Sequence, residues 1–176
     1  MTMWVFGYGS LLWNPGFEVA EMRVATLRDY ARSFCMSSIH HRGTIDKPGL
    51  VLALDEAPGA QCRGMAMRVA SGLETQTLEY LRERELISSA YIEKDLDIRF
   101  DDQTSVRAVT FVIDANHVQY CGGMPLEEQA QIIAHAVGGR GPNTEYLFNT
   151  AQHLHEIGLR DPDLDWLAAR VREITA

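Results

Sequence analysis

The chain predicts one α+β domain, residues 1–176, with a mixed, mostly antiparallel β-barrel or sheet and peripheral helices. Two observations carry that class. The first two-thirds alternates short apolar runs with turn residues, whereas the last third places apolar residues at helical spacing. No repeat, linker or low-complexity segment divides the 176 residues, enough for one hydrophobic core.

Met3–Tyr8 is a short apolar strand, and the Val and aromatic content of Met22–Met36 favours extended structure. Leu50–Asp55 and Cys62–Val69 flank Glu56-Ala-Pro-Gly-Ala60 and read as a hairpin with a longer loop. Ser71 followed by Glu74 has the spacing of a capping box, so a helix is expected from Gly72. Ile92, Lys94, Leu96, Ile98 and Phe100 alternate with acidic residues and Arg99 as a half-buried strand. Asp101-Asp102 turns the chain, and Thr104–Asp114 returns with Val109, Phe111 and Ile113 on one face. Pro125 opens a helix with Leu126, Ala130, Ile133, Ala134 and Val137 on its face, ended by Gly138-Gly139. Asn143 can cap the next, which carries Leu147, Ala151 and Leu154 and stops at Gly158. Asp161-Pro162 opens the last, with Leu164, Leu167, Ala168, Val171 and Ile174.

Hydrophobic content of 46% and charged content of 23% are ordinary for a globular protein. A net charge of −8 with no basic run argues against nucleic acid as a partner. No apolar run reaches the roughly 18 residues a spanning helix needs, which argues against a membrane. The N-terminus has no basic region or long apolar segment, so it reads as a first strand with no signal peptide or extension before it. Cys35, Cys62 and Cys121 are scattered and odd in number, which points to a reducing, cytoplasmic setting rather than a disulfide framework.

Phe6-Gly-Tyr-Gly-Ser-Leu-Leu-Trp-Asn-Pro15 is a strand running into a glycine-rich turn, where backbone N–H groups can approach a ligand. A tight strand-to-loop turn is the plainer alternative. Gly7-Tyr8-Gly9 lacks the third glycine of a dinucleotide fingerprint, and Trp13-Asn14-Pro15 breaks the helix that a pyrophosphate needs. No Lys-Ser/Thr follows to make a phosphate loop, and Ser10 lacks the flanking pattern of a nucleophile elbow. His40-His41 and His153-Gln-His155 do not have the spacing of metal ligands, so no metal is expected. Gly138-Gly-Arg-Gly-Pro-Asn143 leads into a helix N-terminus, suited to an anionic group or to a plain helix–helix connection.

Glu85 is the most informative residue. Leu78, Leu81 and Glu85 fall on one helical stripe, while Glu83 points nearly opposite. A carboxylate on a buried stripe, at the negative end of a helix dipole, has its charged form disfavoured. Both effects raise its pKa and suit it to proton transfer near neutral pH. The alternative is an edge-of-core glutamate paired with Arg84 or another arginine.

Taken together, Val5–Pro15, Arg42-Gly-Thr44 with Lys47-Pro-Gly49, Tyr80-Leu-Arg-Glu-Arg-Glu85 and Gly141-Pro-Asn-Thr-Glu-Tyr-Leu147 resemble the ChaC family of γ-glutamylcyclotransferases, from about Trp4 to Leu167. The resemblance implies a γ-glutamylcyclotransferase-like β-barrel core with flanking helices. It also implies cleavage of glutathione to 5-oxoproline and cysteinylglycine, without metal or organic cofactor. By position, Glu85 matches the catalytic glutamate. Gly7, Tyr8, Gly9, Ser10, Leu11 and Leu12 match the substrate loop, and Tyr146 matches a motif tyrosine near the substrate pocket. Ile87-Ser-Ser-Ala-Tyr91 departs from the glycine-rich segment of many relatives, and its bulk alters the expected pocket beyond the γ-glutamyl group. A different γ-glutamyl peptide or γ-glutamylamine as substrate remains open, as does a non-catalytic regulatory protein using the same pocket.

Overall fold

The computed structural model describes residues 2–86 and 89–176. Five strands form a closed barrel in the order β1-β3-β2-β4-β5: β1 (Trp4–Gly7), β2 (Val19–Ser38), β3 (Gly49–Val69), β4 (Tyr91–Phe100) and β5 (Ser105–Ile113). β1 runs antiparallel to β3, with Gly7 opposite Met65, and parallel to β5, with Trp4 opposite Ala108. β4 is antiparallel to both β2 and β5. The sheet is therefore mixed and mostly antiparallel, as expected. The chain divides into two compact units, Met1–Arg32 with Leu54–Val118, and Ser33–Ala53 with Gln119–Ala176.

In the first unit Val5, Leu11, Met67, Val69, Leu81, Val109 and Phe111 make one buried cluster. Helix α2 (Glu74–Glu85) lies on it through Leu81, with Leu73, Leu78, Tyr80 and Leu86 packed at the margin. Burial of β5 extends to Ala108, Thr110 and Val112, so both of its faces are covered rather than one. A four-residue helix, α1 (Ser10–Trp13), follows β1.

The expected hairpin at Glu56–Ala60 does not form. β3 runs through it as a single 21-residue strand. Pro58-Gly59 has turn composition, but Gly59 adopts φ +88 and its N–H donates to Asp29 Oδ1 at 2.9 Å. Asp29 is itself left-handed at φ 67. The pair bends the strand without reversing it, which is the role a proline and a glycine can play at a bulge. The helix start also differs. Gly72 at φ +88 is incompatible with helix, so α2 begins at Glu74, with no side-chain cap at its N-cap residue. Glu74 Oε2 instead accepts from the Gly72 N–H at 2.9 Å, a local bond one residue before the N-cap and not the expected capping box.

In the second unit, α3 (Leu126–His135), α4 (Asn143–Glu156) and α5 (Pro162–Thr175) bury Ala130 and Ile133, Leu147 and Leu154, and Leu164, Leu167, Ala168 and Val171. Asp161 caps α5, accepting from Asp163 N and Leu164 N at 3.1 and 3.2 Å. Gly158 at φ +79 stops α4. Val137 is not on the face of α3. That helix ends at His135, and Val137, 56% exposed, enters a two-residue strand β6 (Val137–Gly138) paired with β7 (Gly141–Pro142). Asn143 does not cap α4 either. It is the first helical residue, fully buried, and its amide bonds to both backbone groups of Leu50.

Candidate active site

Glu85 closes α2 and is held where the sequence stripe places it. Its side chain is 13% exposed, Leu81 beside it is fully buried, and Glu79 and Glu83 are exposed. Burial raises its pKa above the ordinary glutamate value, and the attraction of Arg84 opposes this without overcoming it. Arg84 Nε lies 3.5 Å from Glu85 Oε1, too long for a strong hydrogen bond.

Arg84 spends its donors elsewhere. Nη1 donates to the carbonyls of Asn14 at 2.5 Å and Pro15 at 3.1 Å and to Tyr80 Oη at 3.3 Å, and Nη2 donates to Ser10 Oγ at 3.2 Å. One guanidinium thus ties the end of α2 to α1 and the loop after it. The same loop needs Gly16: its φ is +76, and a Cβ there would collide with Tyr80. Earlier in the same helix, Arg82 makes a bidentate pair with Glu93 of β4 at 2.7 and 3.0 Å, which holds the Glu93 carboxyl below its ordinary value.

Residues 7–12 are shaped by close contact. A Cβ at Gly7 would meet Met67 Cε at 2.6 Å and Leu11 Cβ at 3.3 Å, so the glycine lets α1 fold back on β1. Tyr8 is buried, and its carbonyl accepts from Arg32 Nε at 2.7 Å, with Arg32 also donating to the carbonyl of Arg63. Gly9 is buried, Leu11 and Leu12 are buried, and Ser10 is half-buried. Leu12 N–H donates to Gly9 O at 2.9 Å. The N–H groups of Ser10 and Leu11 are those that a helix leaves without an intrahelical acceptor. The helix that follows is four residues long, consistent with Asn14-Pro15 ending it.

Glu85 and residues 7–12 therefore belong to one unit, joined through Arg84. Tyr146 belongs to the other. It is buried in α4, its hydroxyl accepts from Leu52 N–H at 3.1 Å, and its ring stands edge-on to Phe34 at 6.0 Å. Beside it, Arg42 is 7% exposed and donates from Nη1 to Pro142 O at 3.1 Å, with Glu145 at 3.6 Å. The Ile87-Ser88 portion of the departure noted in the sequence lies outside the described residues. Arg84, Tyr80 and Arg32 were missed as site-forming residues. The repeated Arg-Glu of residues 82–85 was the available signal, but nothing local says which backbone carbonyls an arginine will reach.

Chemically, the first unit presents one buried carboxyl with a raised pKa, a hydroxyl held by a guanidinium, and backbone donors at a turn. That set can move a proton and bind an anionic or carbonyl oxygen. Among the described residues, no three His, Cys, Asp or Glu side chains are grouped to hold a metal ion.

Residues 3–174 match the family model for ChaC-like protein. The glutathione-specific gamma-glutamylcyclotransferase of Escherichia coli strain K12 is 36% identical over 174 residues, covering 99% of this chain and 74% of its own. Gamma-glutamylcyclotransferase 2-1 of Arabidopsis thaliana is 39% identical over 183 residues, covering 98% and 83% respectively. A crystal structure of the yeast gamma-glutamyl cyclotransferase specific to glutathione superposes with a TM-score of 0.86 over 98% of this chain and 96% of that one. At 20% identity this last likeness bears on the fold alone.

Proposed function

The chain belongs to the ChaC-like protein family, and from that premise we propose that it is a glutathione-specific γ-glutamylcyclotransferase releasing 5-oxoproline and cysteinylglycine. The relatives' names support the substrate, and the observation that carries the chemistry is Glu85, a buried carboxyl with a raised pKa tied to Ser10 through Arg84. The substrate's α-amino nitrogen attacks its own γ-carbonyl and closes a five-membered lactam. Because the attack is intramolecular, the protein's task is to hold the γ-glutamyl chain folded back on itself. Glu85 takes the proton from the ammonium group and returns one to the cysteinyl nitrogen as it leaves. A single carboxyl can serve both steps because burial raises its pKa above the ordinary glutamate value, which makes it a stronger base when ionised and leaves it able to return the proton. Gly7, Tyr8, Gly9, Ser10, Leu11 and Leu12 form the substrate loop, with backbone donors near Gly9–Leu11 binding the substrate carboxylate or the developing oxyanion. Tyr146 contributes through its motif position.

The same reading takes residues 1–176 as one catalytic domain acting on a small molecule in the cytoplasm, with neither nucleic acid nor membrane as partner. Support comes from the family match, which spans both compact units, from the net charge of −8, and from the lack of any helix among the described residues long and apolar enough to cross a membrane. Reduced glutathione incubated with the purified protein, with no metal or nucleotide added, should yield 5-oxoproline by mass spectrometry. Inert glutathione alongside turnover of a γ-glutamylamine would move the assignment to that substrate. Activity abolished by a chelator and restored by a metal would refute the cofactor-free mechanism.

Ser10 is assigned to binding rather than nucleophilic attack, since its hydroxyl accepts from Arg84. Ser10→Ala should fold normally and lose kcat/KM equivalent to about 0.5–3 kcal/mol, toward the upper end because the partner is charged. No covalent adduct should be trapped at Ser10 during turnover. A trapped adduct there would replace the Glu85 scheme with a nucleophilic one.

A further inference from the structure

Cys35 and Cys121 are distant in sequence, but the second unit sets them opposite each other. Met36 and Tyr120 form an antiparallel bridge. On either side of it, Ser37 N–H donates to Gln119 O at 2.7 Å and Cys121 N–H donates to Cys35 O at 2.8 Å. That register makes Cys35 and Cys121 a directly opposed pair with side chains on the same face. Opposed residues of this hydrogen-bonded kind have Cα atoms about 5.5 Å apart, inside the roughly 4.4–6.8 Å range that a disulfide spans, while their Cβ atoms lie toward the wide end of about 4.5–5.5 Å, so closing the bond draws them in toward the roughly 3.5–4.5 Å it needs. We propose that Cys35 and Cys121 form a reversible cross-strand disulfide by exchange with a small disulfide of the glutathione-disulfide class.

The burial of the two sulfurs sets the order of events. Cys35 is fully buried and Cys121 only partly. The Cys121 thiolate attacks one sulfur of the small disulfide, forming a mixed disulfide and expelling one thiol. Cys35 then loses its proton and attacks the Cys121 sulfur, expelling the second thiol. The protein dithiol is oxidised by two electrons, and one small disulfide is reduced to two thiols. Burial holds the Cys121 thiol above its ordinary pKa, which slows its exchange relative to an exposed thiol. After Cys121 the chain enters Gly122-Gly123, and a Cβ at Gly123, which has φ +79, would meet nothing within 4 Å. Cys62 belongs to the other unit, is 2% exposed, and directs its thiol to the carbonyl of Arg63. The Cys35–Cys121 link does not depend on the proposed substrate, since peptide mapping detects it without turnover.

The test is to incubate the protein with excess glutathione disulfide, alkylate under denaturing conditions and map the peptides. The expected result is a linked Cys35–Cys121 peptide, an alkylated Cys62, reversal by dithiothreitol, and a higher Tm for the oxidised form, because the closed loop restricts the unfolded chain. Cys35→Ala should accumulate the mixed disulfide at Cys121. Should that buried variant not fold, Cys121→Ser decides the order: its Cys35 must stay fully alkylatable. Complete alkylation of both cysteines in the wild type, a link through Cys62, or a link only between two chains would overturn the proposal.

Discussion

Replacing Glu85 by glutamine is expected to lower kcat by roughly 10²–10⁴-fold while leaving substrate binding largely intact. Glutamine preserves volume and much of the hydrogen bonding but cannot accept a proton. The stability change has the opposite sign from that of a broken salt bridge. Burial raises the Glu85 pKa in the folded protein, so its neutral form is the better buried one. Its contribution to folding is therefore fully present below the pKa of the unfolded chain, and it is lost as pH rises through the raised folded value. At neutral pH the neutral amide should hold or raise the Tm, and the difference from wild type should shrink on acidification. The raised pKa also places the acid limb of the kcat/KM profile above the ordinary carboxylate range, because the base must be ionised to act. Glu83→Gln is the control, being exposed on the opposite side of α2. If the ion pair with Arg84 were the reason for Glu85, the pattern would reverse: the variant would melt lower, yet its folded fraction would turn over normally. Measuring kcat and Tm for both variants across pH separates the two.

How much of this site was readable beforehand follows from the range of each interaction. The Leu78–Leu81–Glu85 stripe is a local periodicity, so it was visible, and so was the exposure of Glu83. The Asp161 cap was visible for the same reason. The tether was not. Arg84 reaches Ser10, Asn14 and Pro15 some 70 positions away, and only the packing of α2 on the barrel decides this. Pro58-Gly59 misled for a related cause. Those residues signal a break in regular structure, but whether the chain reverses or bends depends on Asp29, which lies on another strand and catches the Gly59 N–H. The three cysteines show the limit most plainly: their spacing excluded a framework, while the register of one bridge places two of them opposite each other.

Asn143→Ala is expected to destabilise the protein by about 2–6 kcal/mol, a large share of the roughly 5–15 kcal/mol that holds a typical domain. Read locally, the substitution should help. Asn143 is the first residue of α4, its side chain caps nothing, and alanine has the higher helix propensity. The tertiary role reverses that sign. Oδ1 accepts from Leu50 N–H and Nδ2 donates to Leu50 O, both at 2.8 Å, so one amide satisfies both backbone groups of a residue that is 2% exposed. Alanine leaves both unpaired, and each costs about 1–3 kcal/mol when water cannot replace the lost partner. Asn143 and Leu50 are both buried, so bulk water does not reach these groups directly. Asn143→Asp separates the two bonds: it keeps the acceptor and the size but turns a second oxygen toward Leu50 O, so it should also destabilise. Asn149→Ala, on the exposed side of the same helix, should stay within about 0.5 kcal/mol of wild type. Denaturant midpoints for the three variants decide the matter. A neutral or stabilising Asn143→Ala would mean that helix propensity, not the bridge to Leu50, governs this position.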